Sequence, residues 1–169
     1  RDRFTQISMF GMLNTLVNIS FSNEYATICG FTKDEVMCNF SEPLLRMADC
    51  FAVMPNELMD TMSSIYGGYH FSSGLIGVYN PFSVCNALAN LRLNSYWIAS
   101  SSNEMLLKVL RKFINEIPEL DNCLIDSDYL EMSDVNMNDP KLFLYQSGNL
   151  TIKKVVGSSY MLGLSLIHI

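Results

Sequence analysis

The chain has 169 residues, enough for one ordinary domain with a hydrophobic core. Hydrophobic residues make up 49% of it and charged residues 17%, which excludes the composition of a disordered protein. The net charge of -6 disfavours broad capture of a nucleic-acid backbone, because such capture requires clustered Lys and Arg side chains.

The N-terminal residues predict the end of a strand and then two helix starts. "FTQISMF" carries β-branched and aromatic residues in partial alternation, which is typical of the end of a buried strand. "SNEYATICG" predicts a short helix that ends at Gly30 in a left-handed cap. Thr32 and Glu35 then form a capping box, which is the clearest helix start in the chain.

Three more helices and a hairpin are predicted before residue 92. "SEPLLRMADCFAVM" continues helical, and Pro55 fits the first turn of the next helix, whose methionines are interpreted as core residues. "GGYHFSSGLIGVY" changes to a period of two around a Ser-Ser-Gly turn, which predicts a small hairpin. Asn80 then caps a helix that Pro81 begins.

The second half predicts helices followed by a hairpin. Ser101 and Glu104 form a second capping box, Pro118 ends that helix, and Pro140 opens a short one. "NLTIKKVVGSSYMLGL" alternates on both sides of a Gly-Ser-Ser turn. The predicted fold is therefore α+β and mainly α-helical, with small β-hairpins and a winged-helix-like C-terminal end.

The cysteines and acidic residues offer no complete metal site. Five cysteines without a CxxC pair are interpreted as buried small hydrophobes in a reducing compartment. Asp126, Asp128 and Glu131 could form a nuclease-like acidic group, but no Lys on a following strand accompanies them. Calcium-loop spacing is also lacking, so a solvated acidic surface is the favoured interpretation and no metal ligand is predicted.

Catalytic motifs and membrane segments are also lacking. The sequence contains neither GxxxxGK[ST], which would cradle nucleotide phosphates, nor a GxSxG nucleophile elbow. The uncharged runs at 4–23 and 66–88 are interrupted by polar residues, Gly or Pro, so neither predicts a membrane span. From the residues alone, the prediction is a soluble cytoplasmic domain without catalytic residues.

Several phrases in order nevertheless resemble one family. They are "FTQIS", "EYATICGFTKDEV", "IYGGYHF", "VYNPFSVCNAL" and "LFLYQSGNLTIKK", and the resemblance runs from about Phe4 to Leu164. They look like the AAA-ATPase-like proteins common in gut Bacteroidetes and other anaerobes. In that family, an N-terminal P-loop ATPase module precedes a PD-(D/E)XK nuclease-like module.

The resemblance implies an internal fragment of such a protein. Residues 1–22 would be the end of the P-loop ATPase core with its sensor strand, 23–164 a helical lid and hairpin region, and 165–169 a non-native tail. Walker A, Walker B and the nuclease-like module would lie outside the chain. The partners would be the upstream P-loop core and the downstream nuclease-like module of the same parent. The fragment is expected to be inactive alone.

The resemblance also implies the site residues and cofactors. Thr5 or Ser8 would be the polar sensor that faces the γ-phosphate, and ATP and Mg would bind the intact parent but not this fragment alone. His70 stands where the family usually has Arg, and two interpretations stay open: a protonated contact to phosphate, or an imidazole hydrogen-bonded within the hairpin.

A second function remains open beside the ATPase fragment. A winged-helix-like module can bind nucleic acid or another protein, and Lys153 and Lys154 would provide a basic pair on the terminal hairpin. The acidic net charge argues against this alternative, so nucleic acid is expected as a partner of the parent only. No membrane partner is predicted.

Overall fold

The computed structural model of the chain describes residues 19, 21–96, 111–113, 117–131, 140–146 and 148–165. We call residues 23–96 the helical region. Its elements are a 3-10 helix at Asn23–Tyr25 and the helices α1 (Lys33–Asn39), α2 (Ser41–Phe51), α3 (Pro55–Tyr66) and α4 (Pro81–Asn90).

We call the described residues between 111 and 165 the winged region. Its elements are α5 (Ile117–Leu120), β1 (Cys123–Asp126), α6 (Ser127–Glu131), α7 (Pro140–Gln146), β2 (Leu150–Val156) and β3 (Ser159–Leu164). The prediction of a mainly helical α+β fold is confirmed. Among the described residues, no helix combines the length and the apolar character needed to cross a membrane.

The helical region packs around one hydrophobic core. Helix α2 contacts α1, α3 and α4, and α3 also contacts α4. Of the methionines predicted as core residues, Met59 and Met62 are fully buried, as is Met47 of α2, whereas the prediction is wrong for Met54, which is 67% exposed. Flexible thioether side chains fill irregular gaps between helices, which explains their number in this core.

The predicted helix starts of this region are confirmed. Glu35 N donates to Thr32 Oγ1 at 3.2 Å, and Thr32 N donates to the Glu35 carboxylate at 2.8 Å, which completes the capping box. The hydrogen bonds that the Glu35 carboxylate accepts from Thr32 N and Thr32 Oγ1 hold the pKa of Glu35 below its usual value. The Asn80 side chain accepts from Ser83 N at 3.0 Å and caps α4, whose first residue is Pro81.

The predicted left-handed cap at Gly30 is wrong. The preceding segment forms a single 3-10 turn and further turns, and Gly30 is not among the described glycines with positive φ. Gly30 serves a close approach instead, because a Cβ there would lie 2.5 Å from Val78 Cγ2. The left-handed caps of α2 and α4 are Ala52 and Leu91, with φ of 53° and 52°.

The winged region is a three-stranded antiparallel sheet with helices. The strand order is β1-β3-β2, so the first strand of the region pairs with the last. Helix, strand, helix, helix, strand and strand follow one another along the chain, and this confirms the winged-helix-like end. The hairpin turn falls after β2, where Gly157 has a φ of 61°.

A β-bulge interrupts the pairing of β2 with β3. The register shifts between Ile152 and Lys154, which leaves Lys153 as the extra residue. Strand β2 lies at an edge of the sheet, and its residues 153 and 154 are exposed lysines. Bulges and lysines are common ways to keep an edge strand from pairing with another chain.

The cysteine prediction is wrong in its burial. Cys29, Cys38, Cys50 and Cys85 are exposed and Cys123 is half-buried, and all five are free thiols. In α4, Val84 and Leu88 occupy the buried face, and Cys85 follows Val84 by one residue. Adjacent residues in a helix do not share a face, so Cys85 lies away from the buried face. A prediction from apolar character alone therefore placed this thiol wrongly in the core.

Two earlier predictions lie outside the described residues. They are the sensor strand region "FTQISMF" and the Ser101–Glu104 capping box.

Candidate functional site

The segment between α3 and α4 lies where the two regions meet. We call residues 66–80 the joint loop. Tyr66 and Tyr79, at its two ends, belong to the core of the helical region. Leu75, in its middle, packs against the core of the winged region. The joint loop therefore contributes side chains to both cores.

Backbone hydrogen bonds fix both ends of the joint loop to the helical region. Asn80 N donates to Tyr66 O at 2.9 Å, which brings the two ends together. Tyr79 and Phe31 exchange backbone hydrogen bonds of 2.7 and 3.2 Å. The Tyr66 hydroxyl donates to Asn94 O at 2.9 Å and accepts from Asn94 N at 3.0 Å.

The predicted hairpin is present only as a single bridge. Val78 N donates to Tyr69 O at 3.0 Å, and the Ser-Ser-Gly turn lies between these residues. The Asn23 side chain accepts from Gly74 N at 2.9 Å, and Leu75 has a φ of 51°. Because backbone groups of the loop bond to side chains outside it, a regular ladder does not form.

His70 is joined to β2 through one buried hydroxyl. His70 N donates to Thr151 Oγ1 at 2.8 Å, and the same hydroxyl donates to His70 O at 3.2 Å. Thr151 is only 2% exposed. Both main-chain polar groups of His70 are thus satisfied by a residue of the winged region. The sequence left open an imidazole that is hydrogen-bonded within the hairpin. The backbone bonds of His70 instead cross from the loop to β2.

The imidazole of His70 lies in a partly buried position beside the same strand. Burial lowers its pKa below 6.5, a hydrogen bond with the Ile152 backbone opposes that shift, and the charge of Lys153 adds to it. Within the described part of the chain, the buried Nδ1 has no hydrogen-bond partner. On the loop side, a Cβ on Gly77 would lie 3.6 Å from Nε2. Burial and the charge of Lys153 therefore both favour the neutral form of the imidazole.

Tyr69 adds a second polar contact between the regions. Its side chain hydrogen-bonds with those of Asn80 and Ser165, and burial raises its pKa above the ordinary value. Its ring stacks on Phe71 with centroids 6.4 Å apart. Tyr69 therefore links the cap of α4 to the residue that follows β3.

The other predicted site residues are placed as follows. Thr5 and Ser8 lie outside the described residues. Asp126 and Asp128 are exposed. No cluster of three or more His, Cys, Asp or Glu side chains suited to a metal ion occurs in the described ranges.

Thr151 and Ser165 were missed by the sequence interpretation. Thr151 lies 81 residues from His70 along the chain, so no local pattern connects them. One signal was present in β2, where Leu150, Thr151 and Ile152 are consecutive and all buried. A polar residue between two apolar ones was interpreted as a solvent-facing position of an alternating strand.

An open cavity of about 430 Å³ lies at the end of α4. Its lining comprises Asn90, Arg92, Asn94 and Tyr96. The Tyr96 hydroxyl donates to Arg92 O at 3.3 Å. Carbonyl groups at the C-terminal end of a helix carry partial negative charge, which disfavours a phosphate there despite Arg92. We therefore place the candidate site at the joint loop.

One curated protein resembles the chain over most of its length. It is described as "Uncharacterized protein in vnfD 5'region" from Azotobacter chroococcum mcd 1, and the two are 26% identical over 153 residues. The match covers 90% of this chain and 27% of that protein, so the chain spans about a quarter of the length of this relative. No protein-family model and no solved structure matches the chain.

Proposed function

We propose that the chain is part of an ATP-binding AAA-ATPase-like protein and supplies the sensor strand and lid half of its ATPase module. The observation that carries this proposal is the order of elements, a helical array followed by a winged-helix-like sheet. That order is what the resemblance of the ordered phrases implies for residues 23–164. The match covers only 27% of this relative, which is compatible with further modules outside the chain.

In this proposal, the catalytic groups for ATP come from the upstream P-loop core. ATP and Mg bind there, and Thr5 or Ser8 of residues 1–22 faces the γ-phosphate as the sensor. The helical region forms the lid, and the joint loop couples the lid to the winged region. The chain alone is then catalytically incomplete, and its compartment is the cytoplasm.

The neutral imidazole changes the proposed role of His70. An ionic contact with phosphate requires a protonated imidazole, and burial favours the neutral form, which keeps a single N–H donor. The backbone bonds to Thr151 instead favour a positioning role for the residue. We therefore propose that His70 does not contact the nucleotide and that Thr5 or Ser8 contacts the γ-phosphate.

An ATP-hydrolysis assay tests this proposal. The 169-residue chain should show no turnover, whereas the parent protein with its upstream P-loop core should hydrolyse ATP. In the parent, Thr5→Ala or Ser8→Ala should reduce turnover at least about tenfold, since one lost transition-state contact of 1.4 kcal/mol has that effect. Ser63→Ala, an exposed position of α3, is the matched control and should leave turnover unchanged. Turnover by the chain itself, abolished by a substitution within it, would contradict the proposal.

A nucleic-acid-binding module is the second candidate. The observation that favours it is the exposed pair Lys153 and Lys154 on β2 of a winged-helix-like fold. Filter binding at low salt decides between the two functions. Affinity that falls with salt and disappears in the Lys153→Ala, Lys154→Ala double variant would favour this second function, whereas the ATPase proposal expects no such affinity.

A further inference from the structure

Among the described residues, the joint loop supplies several of the contacts between the two regions, and Phe21 adds stacking on Tyr145 and Tyr160 of the winged region. The main contacts between helices and strands run within the helical region or within the winged region. Across the boundary, the loop supplies the bonds of His70 to Thr151, the hydrogen bond of Tyr69 to Ser165, and the packing of Leu75. A change at this loop therefore acts directly on the attachment of one region to the other.

The bonds of His70 are geometrically demanding. One Thr151 hydroxyl serves both N and O of His70, so a small displacement of the loop weakens both bonds. The imidazole of His70 lies against β2, the strand that contains Thr151, and hydrogen-bonds with the Ile152 backbone. Backbone and side chain of one residue are thus held by successive residues of β2.

Protonation at Nδ1 of this imidazole finds no partner in the described part of the chain, although a hydrogen bond of the ring with the Ile152 backbone favours the charged form. It would turn Nδ1 into a donor, and this buried atom has no acceptor there. The charge that acts on the ring from β2 is Lys153, which is positive, and the loop side contributes Gly77, which carries none. The Asp121 carboxylate and the Lys153 side chain both lie near Gly163. Asp121 Oδ1 accepts a hydrogen bond from Leu164 N. A proton on Nδ1 of His70 would therefore be unpaired among the described residues, and the charge of Lys153 would oppose it.

We propose that His70 and Thr151 form a proton-sensitive latch that holds the helical region to the winged region and releases it on acidification. The latch goes beyond the proposed ATPase function, because it needs no nucleotide and no upstream module. It acts within this chain, where the sensed ligand is the proton. If the latch proposal fails, the ATPase proposal is unaffected. If the ATPase proposal fails, the latch proposal is unaffected.

The direction of the pH effect follows from the lowered pKa of the imidazole. In the open state, the ring regains its ordinary value near 6.5 and binds a proton that the closed state excludes. Closure is therefore fully favoured above that pH and is weakened as the pH falls through and below it. Each unit of difference between the two pKa values corresponds to a tenfold change in the opening equilibrium.

Hydrogen exchange on the 169-residue chain tests the latch. Exchange is measured at pH 7.5 and 5.5 and corrected for the intrinsic rate at each pH. We expect opening of residues 66–75 and 148–156 to increase about fivefold at the lower pH, within the tenfold expected per pKa unit. The core amides of α2 and α3 should show no such increase. His70→Gln should remove the increase, whereas His168→Gln, at the only other histidine, should retain it.

A second pair of variants covers the case in which His70→Gln does not fold. Lys153 and Lys154 are adjacent and both exposed, but only the charge of Lys153 acts on the imidazole. Lys153→Gln should therefore reduce the pH-dependent increase in opening, and Lys154→Gln should not. Equal increases in wild type, His70→Gln and Lys153→Gln would overturn the latch, as would an increase spread evenly over α2 and α3.

Discussion

The helical region and the winged region hold their cores by different kinds of contact. In the helical region, capped helices contact helices nearby in the chain, and the core is rich in Met and Leu. In the winged region, β1 pairs with β3 across a long separation, for example Cys123 with Leu162. The stability of the helical region should therefore depend on local helix caps. The stability of the winged region should depend on packing and strand pairing between residues far apart in the chain. The joint loop is where one kind of contact meets the other.

The largest expected effect is a core truncation in the winged region. Ile152 is fully buried in β2, and Ile152→Ala should lower the free energy of unfolding by about 3 kcal/mol. Hydrogen exchange should locate the loss in the winged region and leave α2 and α3 protected. Val156→Ala, at a 43% exposed position of the same strand, is the control and should have a much smaller effect. Equal loss of protection in both regions would break the comparison.

A smaller effect is expected at the end of α3. Tyr66→Phe removes the buried hydroxyl that bonds both N and O of Asn94, which should cost about 2 kcal/mol because two groups lose a partner. The loss should appear in the helical region, measured by urea denaturation together with hydrogen exchange. Tyr25→Phe, at a 39% exposed ring, is the matched control. If both variants unfold at the same urea concentration, the hydroxyl of Tyr66 has no special role.

The smallest effect is expected at the cap of α4. Asn80→Ala removes the side chain that accepts from Ser83 N, which should cost about 1 kcal/mol. Asn90→Ala is the control, because the Asn90 amide donates to Asn86 O within the same helix and is not a cap. The urea midpoint distinguishes them. A cost at Asn90 as large as at Asn80 would show that amide loss, and not capping, governs α4.

The sequence predicted the parts of the fold that depend on neighbours. Thr32 with Glu35 and Asn80 before Pro81 act within one helical turn, so their residue types suffice. Gly30 misled the prediction because its small size serves an approach to Val78, which no local pattern records. The final helix, strand, turn and strand were also predictable, because Pro140 and Gly157 mark their boundaries, whereas β1 and α6 were missed in the stretch interpreted as an acidic surface.

The candidate site was less predictable than the fold. The stretch around His70 was predicted as a hairpin from its Ser-Ser-Gly turn, but Thr151, the partner of His70, lies in a strand 81 residues away. Burial lowers the pKa of the imidazole, and this burial follows from the packing of β2 on the loop. The functional assignment rests on ordered phrases, so its test lies in the parent protein.

Native-state hydrogen exchange in increasing urea tests the central claim most directly, namely that two separate cores are joined through residues 66–80. The account predicts two groups of slowly exchanging amides, one in α2 and α3 and one in β2 and β3, with different opening free energies. Ile152→Ala should lower only the second. A single opening free energy shared by both groups, lowered equally by that substitution, would contradict the account.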